Sequence, residues 1–212
     1  MSGPVEWLPD APGTDRDLPV FGSTHPMRDV TRRVAFDREW NAETRARVAD
    51  MFNSMAPAWH ADHDTPARRA AIADALERGA VIPGPILELG SGSGVGTQEL
   101  VDHGWTPVVM DLAIEMLRHA PDGLAPKVQG DASALPFRSG AAPALLLVNM
   151  LLFPDEVDRV LAADGPLIWV NTLAEETPIH LPAQDVVAAL PGSWTATAGR
   201  AGTGAWCVAR RV

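Results

Sequence analysis

Between residues 86 and 96 the chain reads ILELGSGSGVG, so that a short apolar run follows the turn group Pro83-Gly84-Pro85 and every second residue from Gly90 to Gly96 is glycine. No other stretch limits the fold so strongly. Alternate glycines strip Cβ atoms from the backbone, permit positive φ without steric cost and let N–H groups approach a ligand closely. The apolar run before them, bounded by turn residues, reads as a buried strand. Residues 97–103 have helical character and stop at Gly104, a residue suited to the position just past a helix. The predicted unit is strand, glycine loop, helix, with a ligand lying on the loop.

A dinucleotide fingerprint needs glycine at its first, third and sixth positions. Counted from Gly90, the sixth position is Val95. The acidic residues downstream add information. A second strand, residues 106–110, ends in Asp111, where a carboxylate can accept from both hydroxyls of a ribose. Either kind of nucleotide site predicts that residue. A third segment, residues 127–137, reads KVQGDASALPF and places Asp131 after a further strand.

With Glu88-x-Gly90-x-Gly92-x-Gly94 and the segment around Asp131, the chain resembles the class I S-adenosylmethionine-dependent methyltransferases. Residues 157–170, from Val157 to Val170, are similar to that family's passage from a helix into its fifth strand. The resemblance covers roughly residues 50 to 212. It implies S-adenosyl-L-methionine as cofactor. Its methionine part would lie on Gly90, Ser91, Gly92 and Gly94 with Glu88 toward its cationic end, its ribose on Asp111 beside Leu112, and its adenine on Asp131 and the backbone of Ala132. Asn149, closing the fourth strand, completes the implied cofactor set. Two positions depart from the family pattern: Ala142-Pro143-Ala144 stands where an aspartate usually enters the fourth strand, and Gly165-Pro166 where two glycines precede the fifth.

Residues 52–64 are similar to a segment of small-molecule methyltransferases of the quinone-biosynthesis type, in which it closes over the methionine end of the cofactor. Here Trp59-His60 occupies the place of a tyrosine and an aspartate. Trp59 and His60, with His180 in the loop 173–181, outline an acceptor pocket together with the apolar run 149–153. His60, Asp62, His63 and Asp64 carry ligand-type side chains, but a polar, solvated approach to the next helix is the plainer reading, and no metal is assigned. His60 or His63 could serve as a general base. In-line methyl transfer needs mainly proximity and alignment, so no catalytic residue is named.

The remaining features set the frame. A chain of 212 residues with 46% hydrophobic and 21% charged residues can bury one substantial core. The net charge of −10 argues against general nucleic-acid binding, which needs a positive surface. The pairs Arg32-Arg33, Arg45 with Arg47, and Arg68-Arg69 are mixed with acids and read as solvated helix faces. No apolar run spans a membrane and no secretory leader is evident, so a cytoplasmic protein is expected. Cys207 has no partner for a disulfide and sits in an apolar run.

Residues 1–35, rich in Pro and Asp, read as a flexible or strap-like arm. Residues 36–80 read as a helical lid, with Asn41 capping one helix and Thr65-Pro66 opening another that stops at Gly79, and residues 81–212 as the core of a single domain. The alternating runs 194–199 and 205–210 predict a final hairpin. The expected architecture is α/β, a Rossmann-like, mostly parallel sheet of seven strands between helices with an antiparallel final strand. The expected activity is methyl transfer from S-adenosyl-L-methionine to a small, apolar or ring-containing acceptor. A non-catalytic scaffold of the same fold and a nicotinamide oxidoreductase are the alternatives. Acceptor, pathway and oligomeric state stay open.

Overall fold

The computed structural model describes residues 4–18, 20, 22 and 24–212. In chain order the elements are β1 (Val5–Trp7), α1 (Met27–Arg32) running into a π-helical turn (Arg33–Asp37), α2 (Ala42–His63), α3 (Pro66–Arg78), β2 (Pro85–Leu89), α4 (Val95–Asp102), β3 (Thr106–Asp111), α5 (Ile114–His119), β4 (Lys127–Gln129), β5 (Leu145–Val148), α6 (Pro154–Val160), β6 (Leu167–Asn171), α7 (Ala183–Ala189), β7 (Trp194–Ala201) and β8 (Gly204–Arg211).

The strands form one sheet in the order β1-β7-β8-β6-β5-β2-β3-β4. Strands β2 to β6 pair in parallel, and β8 runs against both β6 and β7. Among the described residues the sheet holds eight strands, one more than the seven expected, because Val5–Trp7 pairs in parallel with the outer side of β7. Chain order reverses between β2 and β5, the crevice at which α/β sheets hold ligands beyond their carboxyl ends.

Side chains alternate across this sheet as strand geometry requires. Leu87, Leu89, Leu145, Leu147 and Trp169 face α6 and α7, while Ile86, Leu146, Ile168, Val170 and Val208 face α3 and α4. Burial on both faces explains why β5 reads as the unbroken run LLLV instead of an alternating one. Cys207 is fully buried, which pushes its thiol up to about 12.

Helix boundaries follow their caps. The Asn41 side chain accepts from the Thr44 amide, and the Thr65 hydroxyl accepts from the Arg68 amide with Pro66 in the first turn. Helix α2 runs through Pro57 to His63 without stopping. Phe52, Met55, Ala56 and Trp59 pack on Ala113 and Met116 of the α5 region, and the Asn53 side chain accepts from the Glu115 amide at 3.0 Å. That packing offsets the roughly 3 kcal/mol an internal proline costs.

On the opposite face a buried polar knot joins α3 to the hairpin. The Trp206 indole N–H donates to Asp74 at 2.6 Å, and Arg78 donates two bonds to the same carboxylate, each 2.6 Å. Asp74→Asn keeps one acceptor but removes the charge-assisted fork, so a loss of about 1–2 kcal/mol is expected in denaturant unfolding. An unchanged midpoint would show that the knot contributes nothing to stability.

Candidate active site

The loop after β2 takes the conformation its glycines allow: Gly90, Gly92 and Gly94 have φ of +71°, +55° and +91°. Gly96 is needed for another reason. A Cβ there would lie 2.5 Å from Glu88 Oε1, so any other residue would have to displace the Glu88 carboxylate or the start of α4. The loop is tied to β3 by the Gly90 and Ser91 amides, which donate to the Met110 carbonyl at 2.8 and 3.2 Å.

Asp111 sits at the carboxyl end of β3 as a junction. One oxygen accepts from Gly92 N and the other from Ala113 N, both at 2.8 Å. Burial raises its pKa above the ordinary value, against the opposing pull of the Ala113, Gly92 and Leu112 amides. Glu88 is 1% exposed and accepts from the Thr97 hydroxyl at 2.6 Å. Burial pushes it to about 8, with the nearby Asp111 adding to the rise.

Asp131 behaves differently. Burial works to raise it, but the Ser133 amide and hydroxyl, the Trp40 indole and Arg45 together hold it below its ordinary value. Ser133 N lies 2.9 Å, Trp40 Nε1 3.1 Å and Arg45 3.4 Å from its oxygens. Trp40 also packs edge-on against Phe153, with centroids 5.3 Å apart. The segment before α2 is therefore fastened to the wall that carries Asp131. Trp40 does not stand out in the sequence, and Arg45, read there as part of a solvated helix face, instead pairs with Asp131; the partner lies 91 and 86 residues away.

These residues line one cleft enclosing about 1060 Å³ of atom-free space, part of it open to solvent. Of the residues expected to hold a cofactor, Glu88, Gly90, Ser91, Gly92, Asp111, Leu112, Asp131, Ala132 and Asn149 all line it. Gly94 packs behind the loop, its Cβ position facing Pro121, Ala120 and Leu124. Asn149 has a left-handed backbone (φ +47°), and its amide is occupied by Thr172, donating to Oγ1 at 2.8 Å and accepting from the backbone N at 2.9 Å. The side chain thus ties β5 to β6.

Trp59 lies over the loop, its indole nitrogen 3.5 Å from where a Gly92 Cβ would be. His63 stacks on Trp59 with ring centroids 3.7 Å apart and an interplanar angle of 11°. Burial, and then the adjacent Arg68, hold His63 below its usual pKa, so its ring is neutral near pH 7. His60 touches the loop from outside the cleft's lining, with Nδ1 3.2 Å from Ser93 Oγ and Nε2 3.4 Å from Asp64.

His180 lies elsewhere. It lines a second, smaller cavity with Trp7, Trp169 and Glu175, where burial lowers it to about 4. The loop 173–181 turns back toward the β1 edge of the sheet, and Ile179 is the part of it that reaches the first cleft. Arg68 also departs from the solvated-face reading: it is half-buried on the cleft wall, while Arg69 beside it pairs with Asp64 at 3.2 Å and Glu99 at 3.5 Å. Among the described residues no three His, Cys, Asp or Glu side chains converge as a metal-ligand set, and no helix is long and apolar enough to cross a membrane.

The cleft suits an adenosyl sulfonium cofactor on its own features. It has a glycine loop with open backbone, carboxylates at the ends of successive strands, and a Ser91 hydroxyl that is buried without a partner. Residues 87–168 match the family model described as a methyltransferase domain. No significant match is found among curated proteins. Among solved structures, a S-adenosylmethionine-dependent methyltransferase from Thermotoga maritima is 12% identical with a TM-score of 0.58, over 77% of this chain and 99% of that one. One from Aquifex aeolicus is 16% identical with a TM-score of 0.54, over 72% and 96%. A chain from a Haloferax volcanii complex containing the Trm112 methyltransferase activator is 21% identical with a TM-score of 0.47, over 56% of this chain. The present chain spans 59% of that relative's length. Residues 87–168 thus match a methyltransferase domain, and the chain has the fold of S-adenosylmethionine-dependent methyltransferases.

Proposed function

We propose that this protein transfers the methyl group of S-adenosyl-L-methionine to a small, apolar acceptor. The observation that carries this reading is one cleft lined by both polar and apolar groups. Glu88, Ser91, Asp111 and Asp131 line it with polar groups at or just past the strand ends, and Met27, Met150, Leu151, Phe153 and Ile179 line it with apolar ones.

When bound, the cofactor supplies a sulfonium-activated methyl carbon. The residues then have separable tasks. Asp111 is already held by two amides, so its carboxylate can receive ribose hydroxyls without reorganising. Asp131 is kept ionised and can accept from the adenine amino group beside Ala132. Trp59 and the ring stacked on it exclude water from the glycine-loop end. Among the described residues, the cleft's carboxylates lie at or just past the strand ends and its one imidazole, His63, is stacked on Trp59. The reading therefore favours an acceptor atom that is nucleophilic on arrival, held at the right distance and angle while its proton passes to solvent.

The apolar lining of the cleft and the net charge of −10 both favour a small molecule over a nucleic acid. The similarity of residues 52–64 to the quinone-biosynthesis type supports a ring-containing acceptor. Calorimetric titration with S-adenosylmethionine, S-adenosylhomocysteine and, as control, NAD tests the cofactor assignment. Saturable binding of the first two and none of NAD is expected. Folded protein that binds NAD but neither adenosyl compound would overturn it.

A further inference from the structure

Arg68 is the one Lys or Arg among the described residues that line the cleft. It lies in the first turn of α3, where the helix end carries partial positive charge and a cation is out of place. No acid in that turn compensates it. Among the described residues its guanidinium makes no hydrogen bond, ion pair or ring contact, although it is half-buried and lines the cleft. Arg78, Arg159 and Arg69 are paired with carboxylates, and Arg210 donates to the Gly79 and Ala80 carbonyls. Arg47 and Arg138, also without partners, are exposed.

A half-buried guanidinium gives up hydration without recovering it from the protein, a state that persists where a ligand completes it. Its position narrows the ligand. Arg68 neighbours His63, which stacks on Trp59 above Gly92, and the hydroxyl of Ser91 in the same loop is buried and unpartnered. A planar fork of donors and a free hydroxyl at one end of a cleft fit a carboxylate, which a guanidinium grips with two parallel bonds.

Resting on the cofactor reading above, we infer that Arg68 anchors a carboxylate at the glycine-loop end of the cleft. Two sources carry that group into such a site, the amino-acid arm of the cofactor and an acidic substituent on the acceptor.

Calorimetry separates them. S-Adenosylhomocysteine carries the carboxylate, and 5′-methylthioadenosine lacks the whole amino-acid arm while keeping the nucleoside. If the cofactor is the source, Arg68→Gln lowers S-adenosylhomocysteine affinity about 10- to 100-fold, as loss of a charged hydrogen-bonding pair does, and leaves methylthioadenosine binding intact. Arg68→Lys then falls between, since it keeps the charge and loses the fork. If the acceptor is the source, the ratio of the two affinities holds, and benzoate binds the wild-type protein saturated with S-adenosylhomocysteine but not Arg68→Gln. Retained methylthioadenosine binding shows that the variant is folded. An unchanged ratio with equal benzoate behaviour in both proteins overturns the anchor. Failure of the wild-type protein to bind either nucleoside overturns the cofactor reading itself, and the anchor with it.

Discussion

Asp111→Ala is expected to weaken S-adenosylhomocysteine binding by at least about 100-fold in calorimetry. Hydrogen bonds to a charged group contribute roughly 1.5–3 kcal/mol each, and this carboxylate has two jobs. On the proposed reading it takes the ribose hydroxyls, and it accepts from Gly92 N and Ala113 N at 2.8 Å. Removing it therefore subtracts ligand contacts and also leaves two loop amides without a partner. Asp111→Asn keeps an acceptor of the same shape and is expected to lose less, about 10-fold. Wild-type affinity in the alanine variant would remove Asp111 from the site.

The second large effect concerns pH. The ordinary carboxyl value is 4.5 and burial raises Glu88 to about 8 in the folded chain. Between those values the folded state keeps a proton that the unfolded state has released, so stability falls as pH rises through the window. The limiting slope for one such group is about 1.4 kcal/mol per pH unit, which amounts to several kcal/mol across the window. Glu88→Gln supplies a neutral isostere that cannot ionise. Its stability in the absence of ligand should exceed that of the wild type above pH 7, and the gap should close toward pH 5. Denaturant melts at pH 5, 6, 7 and 8 would check this, and parallel profiles for the two proteins would rule it out. A cationic ligand beside Glu88 should favour the carboxylate and expel the proton. Binding heats should then vary with the ionisation enthalpy of the buffer in the wild type, and that variation should shrink in Glu88→Gln.

Local chemistry in the sequence reached far into this structure. Asn41, Thr65-Pro66 and Gly79 mark helix ends because capping and proline geometry act within a few residues. The unbroken LLLV of β5 and the alternating β7 and β8 disclose their positions in the sheet because strand periodicity reflects which faces are covered. The acids at the ends of β2 and β3 and just after β4 were legible through their order along the chain. What escaped depended on distant partners. The helix through Pro57 persists because α5 packs against it, a gain no local pattern records. The Trp40 and Arg45 contacts to Asp131 cross the fold. The paired character of Arg68-Arg69 hid two unlike residues, one satisfied by Asp64 and Glu99 and one turned into the cleft. A signal for the second did exist, since a cation in a first helical turn opposes the dipole and asks for an anion.

The order of strands carries a consequence for how copies of this chain meet. The hairpin strands β7 and β8 are eight residues long, and a flat strand of that length left open would offer a row of amides for another molecule to zip onto. Val5–Trp7 lies against part of β7, followed by Leu8 and Ala11 amides that donate to Ala198 and Arg200. At the opposite margin the sheet ends in Lys127–Gln129. Both outermost strands are thus three residues long, with Glu6 on one and Lys127 on the other. Such brief, charged margins are poor templates for intermolecular β-pairing and discourage aggregation through the sheet.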